Sequence, residues 1–155
     1  MECIRRLMLA LALCAAAGTA LAAKEAKPPE GVKVAGGAQF DIYVVHKESK
    51  PAVGGYALNI YEATIVVHQT PRHGRQLYRS RKEASNADLL DPSMWQLGDF
   101  NGDGLDDYRV VAGIGSKGCR IWATQFWLPD RERFTGAGKG PLFTDANGKP
   151  VKSCL

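Results

Sequence analysis

Oxygen-bearing side chains fall at alternate positions in Asp99-Phe100-Asn101-Gly102-Asp103-Gly104-Leu105-Asp106-Asp107. Ca²⁺ is a hard cation that takes six to eight oxygens, so a short segment must gather several carboxylates to hold it. Asp99, Asn101 and Asp103 occupy loop positions 1, 3 and 5, Leu105 offers its backbone carbonyl at position 7, and Asp107 stands at position 9. Gly104 supplies the sharp turn between them, because glycine accepts φ > 0 without a Cβ clash. The same stretch contains Asn-Gly and Asp-Gly, the signals of a plain hairpin turn. A plain turn does not need acceptors at alternate positions, so a calcium loop is the expectation. Position 12 is Val110 where an EF-hand has its bidentate Glu, and Tyr108-Arg109-Val110-Val111 favours a strand over an exiting helix.

Other chemistries find less support. His46, His68 and His73 form no His-Glu-x-x-His motif and no pair at helical spacing, so a zinc hydrolase is not indicated. Gly113-Ile114-Gly115-Ser116-Lys117-Gly118 resembles a phosphate loop in composition only, since the Gly-Lys-Ser/Thr order and the following helix are missing. Paired carboxylates are concentrated in the calcium loop, where a cation would consume them. The chain therefore reads as a binding protein and not as an enzyme.

The start of the chain reads as a targeting segment. Arg5 and Arg6 precede the apolar stretch Leu7 to Ala17, and Ala20-Leu21-Ala22 is a small-residue cleavage site, giving a signal peptide over 1–22 and a mature start at Ala23. The apolar run is too short to span a bilayer, and no later segment approaches the ~20 residues required. Leu11-Ala12-Leu13-Cys14 offers a lipoprotein alternative, in which Cys14 would be the anchored residue. The expected location is periplasmic or secreted. Beyond the signal only Cys119 and Cys154 remain, and in an exported chain a disulfide is the default for such a pair, a reactive thiol being the alternative. Closing the loop between them would stabilise the fold by about 4 kcal/mol on the chain-entropy model.

The rest of the 155-residue chain suffices for one domain with a real core. The full chain's net charge of +4, one unit of it from Arg5 and Arg6 against Glu2, is modest, and its densest basic cluster (Arg72, His73, Arg75, Arg79, Arg81, Lys82) reads as a solvated strand and turn. A nucleic-acid partner is not expected.

The elements that would position the loop follow a period of two. Residues 23–37, rich in Lys, Pro, Gly and Ala, read as a flexible lead-in, and 38–155 as the β-rich calcium-binding domain. Phe40, Ile42 and Val44 alternate with Asp41 and Tyr43, and Tyr56 to Gln69 is a longer β-favouring run. Further strands are expected at Gln76 to Ser80, Met94 to Leu97, Asp107 to Ala112 and Arg120 to Leu128, with Lys82 to Leu90 the one short helix. The spacing predicts an all-β, mainly antiparallel single domain with one calcium loop between strands. Trp95, Trp122 and Trp127 are core candidates, or, if one is exposed, a sugar platform.

Gly98 to Asp107 looks like the loop of integrin-type FG-GAP repeats. The wider stretch resembles something more specific: Leu77 to Ser80, Trp95 to Val111, the turn Gly113 to Gly118, and Ile121 to Phe134 with Phe126-Trp127-Leu128-Pro129-Asp130. Together these are similar to an exported bacterial family related to the periplasmic inhibitors of invertebrate-type lysozyme, some members being immunity proteins against peptidoglycan hydrolases. The resemblance implies inhibition by a protruding loop with a Ser-Gly-x-x-Tyr pattern. The matching turn here is Ser116-Lys117-Gly118-Cys119-Arg120, with Arg in place of Tyr. Ser116, Lys117, Gly118 and Arg120 are therefore the expected contacts to a lysozyme-like hydrolase, with Lys117 or Arg120 addressing its catalytic carboxylates. The alternative is a calcium-stabilised adhesion or glycan-binding module.

Overall fold

The computed structural model describes residues 29–51, 57–68, 76–136 and 140–154. The signal segment, the residues that follow it to 28, and His73 lie outside them. Alternation of β-branched and aromatic residues with polar ones becomes strand throughout: β1 (Val32–Gly36), β2 (Phe40–Lys50), β3 (Leu58–Val67), β4 (Leu77–Ser85), β5 (Trp95–Gly98), β6 (Asp107–Ile114), β7 (Arg120–Leu128), β8 (Arg133–Gly136) and β9 (Leu142–Thr144). No α-helix occurs among the described residues; one-turn 3-10 segments lie at Pro92–Met94, Ser116–Gly118 and Pro129–Arg131. The chain is all-β.

Two antiparallel sheets result. The first has the order β1-β2-β3-β4; the second runs β5-β6-β7-β8, with β9 also paired to β7. Strand β7 divides one edge between two short partners, β8 along Gln125–Leu128 and β9 along Arg120–Trp122. Two expectations change. The lead-in over 23–37 ends early, because Val32 to Gly36 pair with β2 and Val34 is buried. The helix expected from Lys82 to Leu90 does not form. Arg81, Glu83 and Ser85 continue the two-residue period, opposite Ala63, Tyr61 and Asn59 of β3. Ladder bonds and cross-strand packing outweigh the helix preference of Arg-Lys-Glu-Ala.

The core lies between the sheets. Phe40, Ile42 and Val44 of β2 and Ala63 and Ile65 of β3 are completely buried, as are Tyr108 and Val111 of β6. Each buried Val, Ile or Phe contributes about 1.5–3 kcal/mol. Phe134 of β8 joins the layers: its ring stands 5.3 Å from Phe40, 5.0 Å from Tyr108 and 4.9 Å from Trp127, centroid to centroid. Trp95 closes the cluster, 6.1 Å from Tyr108, with its indole N–H donated to the Leu89 carbonyl.

Residues directly opposite in an antiparallel ladder share a face. Leu77, Arg79, Arg81, Glu83 and Ser85 stand opposite the β3 row that packs the core, so β4 turns charged residues toward the second sheet. Arg79 Nε donates to the Glu132 carbonyl just before β8, Arg81 Nη1 to Gln125 Oε1 on β7, and Ser85 Oγ to the Val111 carbonyl on β6. Strand β4 therefore passes in turn over β8, β7 and β6, crossing the second sheet. Arg81 Nε lies 3.3 Å from Glu83 Oε1, but that buried oxygen receives no hydrogen bond among the described residues. Burial pushes the Glu83 carboxyl above the usual range against the pull of Arg81. Burial first, and Glu83's charge second, likewise raise the Tyr108 phenol.

A raised carboxyl pKa contributes stability below the ordinary carboxylate range that is lost as pH rises through the folded value. Glu83→Gln removes that loss. Denaturant titrations should show the variant equal to wild type near pH 4 and more stable at neutral pH. The gain should be about 1–3 kcal/mol, a desolvation penalty that falls on the ionised carboxylate and not on a neutral amide. A difference that does not change with pH would contradict this account.

Candidate functional site

The acidic loop spans residues 99–106 and joins β5 to β6. Its fold follows from carboxylates finding backbone N–H groups. Asp99 Oδ1 accepts from Gly102 N at 2.6 Å and Asp103 N at 3.1 Å, and its Oδ2 from Gly104 N at 2.8 Å. These bonds hold the Asp99 carboxyl below its usual range, that from Gly104 above all. Asn101 Oδ1 accepts from Asp103 N, and Asp103 Oδ1 from Leu105 N. Gly102 and Gly104 take φ of +81° and +83°, the left-handed conformation that the repeated turns require. Asn101 Nδ2 also donates to Asp103 Oδ2 at 2.9 Å.

Asp107 differs from the other acids. It is fully buried, its Oδ1 accepts from Trp127 N at 2.9 Å, and its Oδ2 accepts from Phe100 N at 3.1 Å. One carboxylate thus ties the loop's second residue to β6 and β7. Burial raises its pKa, the two N–H donors oppose that, and the charges of Asp103 and Asp99 raise it further. Phe100 packs beneath Arg109, whose guanidinium carbon sits 3.6 Å from the ring centroid. Leu105 is half-buried against the core, and the Asp106 N–H donates to Gln39 Oε1 in the β1–β2 turn. That turn is held by His68, whose N–H donates to the Gln39 carbonyl and whose ring contacts the Ala38 carbonyl and Asp41. The loop therefore touches both sheets.

Asp99, Asn101, Asp103 and Leu105 lie in the loop, and Asp107 stands just behind it as the first residue of β6. Among the described residues, no three His, Cys, Asp or Glu side chains form a group arranged to hold a metal. The donor set relies on an amide and a carbonyl as well as carboxylates, and Asp99 and Asp107 direct both oxygens to N–H groups.

The second candidate region, Gly113 to Arg120, lies at the other end of β6, roughly 26 Å away for eight residues at ~3.3 Å each. Its root is held by the tail and not by the acidic loop. Cys119 and Cys154 form the expected disulfide, with Cα atoms 5.5 Å apart. Gly115 N donates to the Cys119 carbonyl and Ser116 Oγ to the Cys154 carbonyl. Ser116, Lys117 and Gly118 are exposed, with Lys117 at φ 56°. Arg120 is half-buried and donates one guanidinium N–H to the Ser93 carbonyl at 3.0 Å. All three tryptophans are buried, so none offers a sugar platform. Sequence reasoning missed Gln39 and the Trp127 amide as partners of the loop. Neither carries a local signal, since both lie far along the chain.

Two substitutions separate architecture from metal binding. In EGTA, Asp107→Asn should destabilise by about 1–3 kcal/mol, because its amide would set an N–H₂ group against a backbone donor. Asp103→Ala, exposed, should change stability by about 0.5 kcal/mol or less under the same conditions. Chemical denaturation would measure both, and equal losses would refute the distinction. Removing the disulfide with Cys119→Ser and Cys154→Ser should cost about 2–4 kcal/mol in the same assay.

No family model matches the chain, and no match was found among curated proteins or solved structures.

Proposed function

We propose that this chain is an exported, calcium-binding protein that acts without catalysis, by seating its Ser116–Gly118 turn in the cleft of a lysozyme-like peptidoglycan hydrolase. The observation that carries the reading is an exposed, glycine-flanked turn on a root fixed by a disulfide. Such a turn meets a partner with little ordering cost. Glycosidases of this kind work with a pair of carboxylates, and Lys117 brings an exposed cation to them. The disulfide favours an oxidising compartment, in keeping with the signal-like start of the chain.

Calcium suits the oxygen-only donor set of Asp99, Asn101, Asp103, the Leu105 carbonyl and Asp107. The like charges of Asp99 and Asp103 already weigh on the buried Asp107 carboxyl, and a bound cation would relieve them. Its contribution is structural. The loop fixes β5 to β6 and the β1–β2 turn, and so stiffens the end of the domain remote from the contact turn.

Thermal melts in EGTA and in excess Ca²⁺ test the metal. One-site linkage gives about 2.7 kcal/mol at a hundredfold excess over Kd, and Asp103→Ala should abolish the difference. Identical midpoints would remove calcium from the reading. A lysis assay against a panel of lysozyme-type and chitinase-like muramidases tests the partner. Wild type should inhibit at least one, and Lys117→Ala should weaken that inhibition about tenfold, the equivalent of ~1.4 kcal/mol. Inhibition of none would sink the hydrolase assignment. Equal potency of folded Ser116→Ala, Lys117→Ala and Arg120→Ala would place the contact elsewhere.

A further inference from the structure

The Ser116–Gly118 turn does not stand alone. After β9 the chain makes a second turn over 145–149, closed by Asp145 N donating to the Lys149 carbonyl and Gly148 N to the Asp145 carbonyl. Asp145 Oδ1 is taken up inside it, accepting from Asn147 N at 2.8 Å and Lys149 N at 2.9 Å. The chain then returns, Val151 N donating to the Phe143 carbonyl, and ends its described part at Cys154. Gly118 faces Ala146: a side chain begun at Gly118 would start 3.8 Å from the Ala146 Cβ. Gly115 lies flat on the tail, where a Cβ would meet the Cys154 carbonyl oxygen at 2.8 Å. Two turns distant in sequence are thus side by side, and the Cys119–Cys154 bond ties their roots.

The exposed residues of this end include Ser116, Lys117, Gly118, Ala146, Asn147 and Lys149, with Lys152 on the returning tail. Three of them are lysines. The nearby acids are Asp145, which accepts hydrogen bonds within its own turn, and Asp91, which accepts from the Ser93 N–H and hydroxyl. Arg120 spends one N–H on the Ser93 carbonyl. Among the described residues of this end Lys117, Arg120, Lys149 and Lys152 outnumber Asp91 and Asp145, so its charge is positive.

We infer that the partner-binding surface is a basic platform of both turns, 116–118 and 146–149, made one rigid unit by the Cys119–Cys154 disulfide, and that it fits an acidic protein cleft. The inference rests on the hydrolase reading for its partner and adds the second turn and the dependence on oxidation. A cleft lined by carboxylates gains more from several cations held in one geometry than from one on a free turn, because the ordering cost is already met. Breaking the disulfide frees the tail, which removes the support of the first turn and the position of the second. Binding then becomes a property of the oxidised protein.

Two experiments on the full chain separate the parts. Amide hydrogen exchange of oxidised against reduced protein needs no partner. Reduction should lower protection in 115–119 and 145–154 together while β2 and β3 keep theirs. Loosening of 115–119 with 145–149 unchanged would show two independent turns and overturn the platform. The lysis panel then compares wild type with Lys117→Glu, Lys149→Glu and Gly115→Ala. Each should weaken inhibition tenfold or more, Gly115→Ala by prying the tail from the turn with the disulfide intact. Melting curves confirm that each variant is folded. If Lys117→Glu fails to inhibit while folded Lys149→Glu remains as potent as wild type, the second turn is no part of the surface, and the hydrolase reading survives alone. If wild type inhibits nothing, the hydrolase reading fails and the acidic-cleft assignment falls with it.

Discussion

A buried carboxylate with two backbone donors organises this domain. Asp107 stands at the first position of β6, where the acidic loop re-enters the sheet, and its oxygens receive the amides of Phe100 and Trp127. An ionised group in that place is costly unless its acceptor sites are filled, so the loop and β7 must both come to it. The requirement reaches further. Trp127, once placed, sets Phe134 against Phe40 and Tyr108, and those contacts join the two sheets. A polar bond at the sheet margin thereby fixes the register of apolar packing at the centre.

The two ends of β6 are secured by different chemistry. At one end, hydrogen bonds from the loop's own amides gather the acids, and Gln39 links the loop to the first sheet. At the other, a covalent bond draws the tail onto a glycine turn that could not carry a larger residue at 115. Ion binding and oxidation would each act on one end without need of the other. Strand β6, buried at four of its eight positions, connects them.

Much of this was legible in the residues. The acidic loop follows from the spacing of oxygen donors and glycines, and β7 follows from period-two alternation with the same limits, Arg120–Leu128. The pairing of Cys119 with Cys154 follows from their being the two cysteines beyond the expected signal segment. What stayed hidden depends on distant neighbours. Lys82 to Ser85 has helix-forming composition, and only the β3 ladder makes it strand. Strand β1 sits in a stretch whose Lys, Gly and Pro content suggests no order, yet Val34 finds a buried place on the sheet. Strands β8 and β9 are four and three residues long, too short for periodicity to reveal. In the candidate site, the spacing of oxygen-bearing side chains could be read from the sequence, but the commitment of Asp99 and Asp107 to backbone donors could not.

Strand β4 has one more effect, on how copies of this protein behave together. Among the described residues it is the last strand of its sheet, and such an edge is the kind of template on which another chain can add a strand. Its inward row of Arg79, Arg81 and Glu83 makes that addition unfavourable, since an incoming strand would have to find room beside charged side chains already bonded to the Glu132 carbonyl and the Gln125 amide oxygen. Glu83, which weakens the core at neutral pH, is thus also one of the charges that oppose strand addition at this edge.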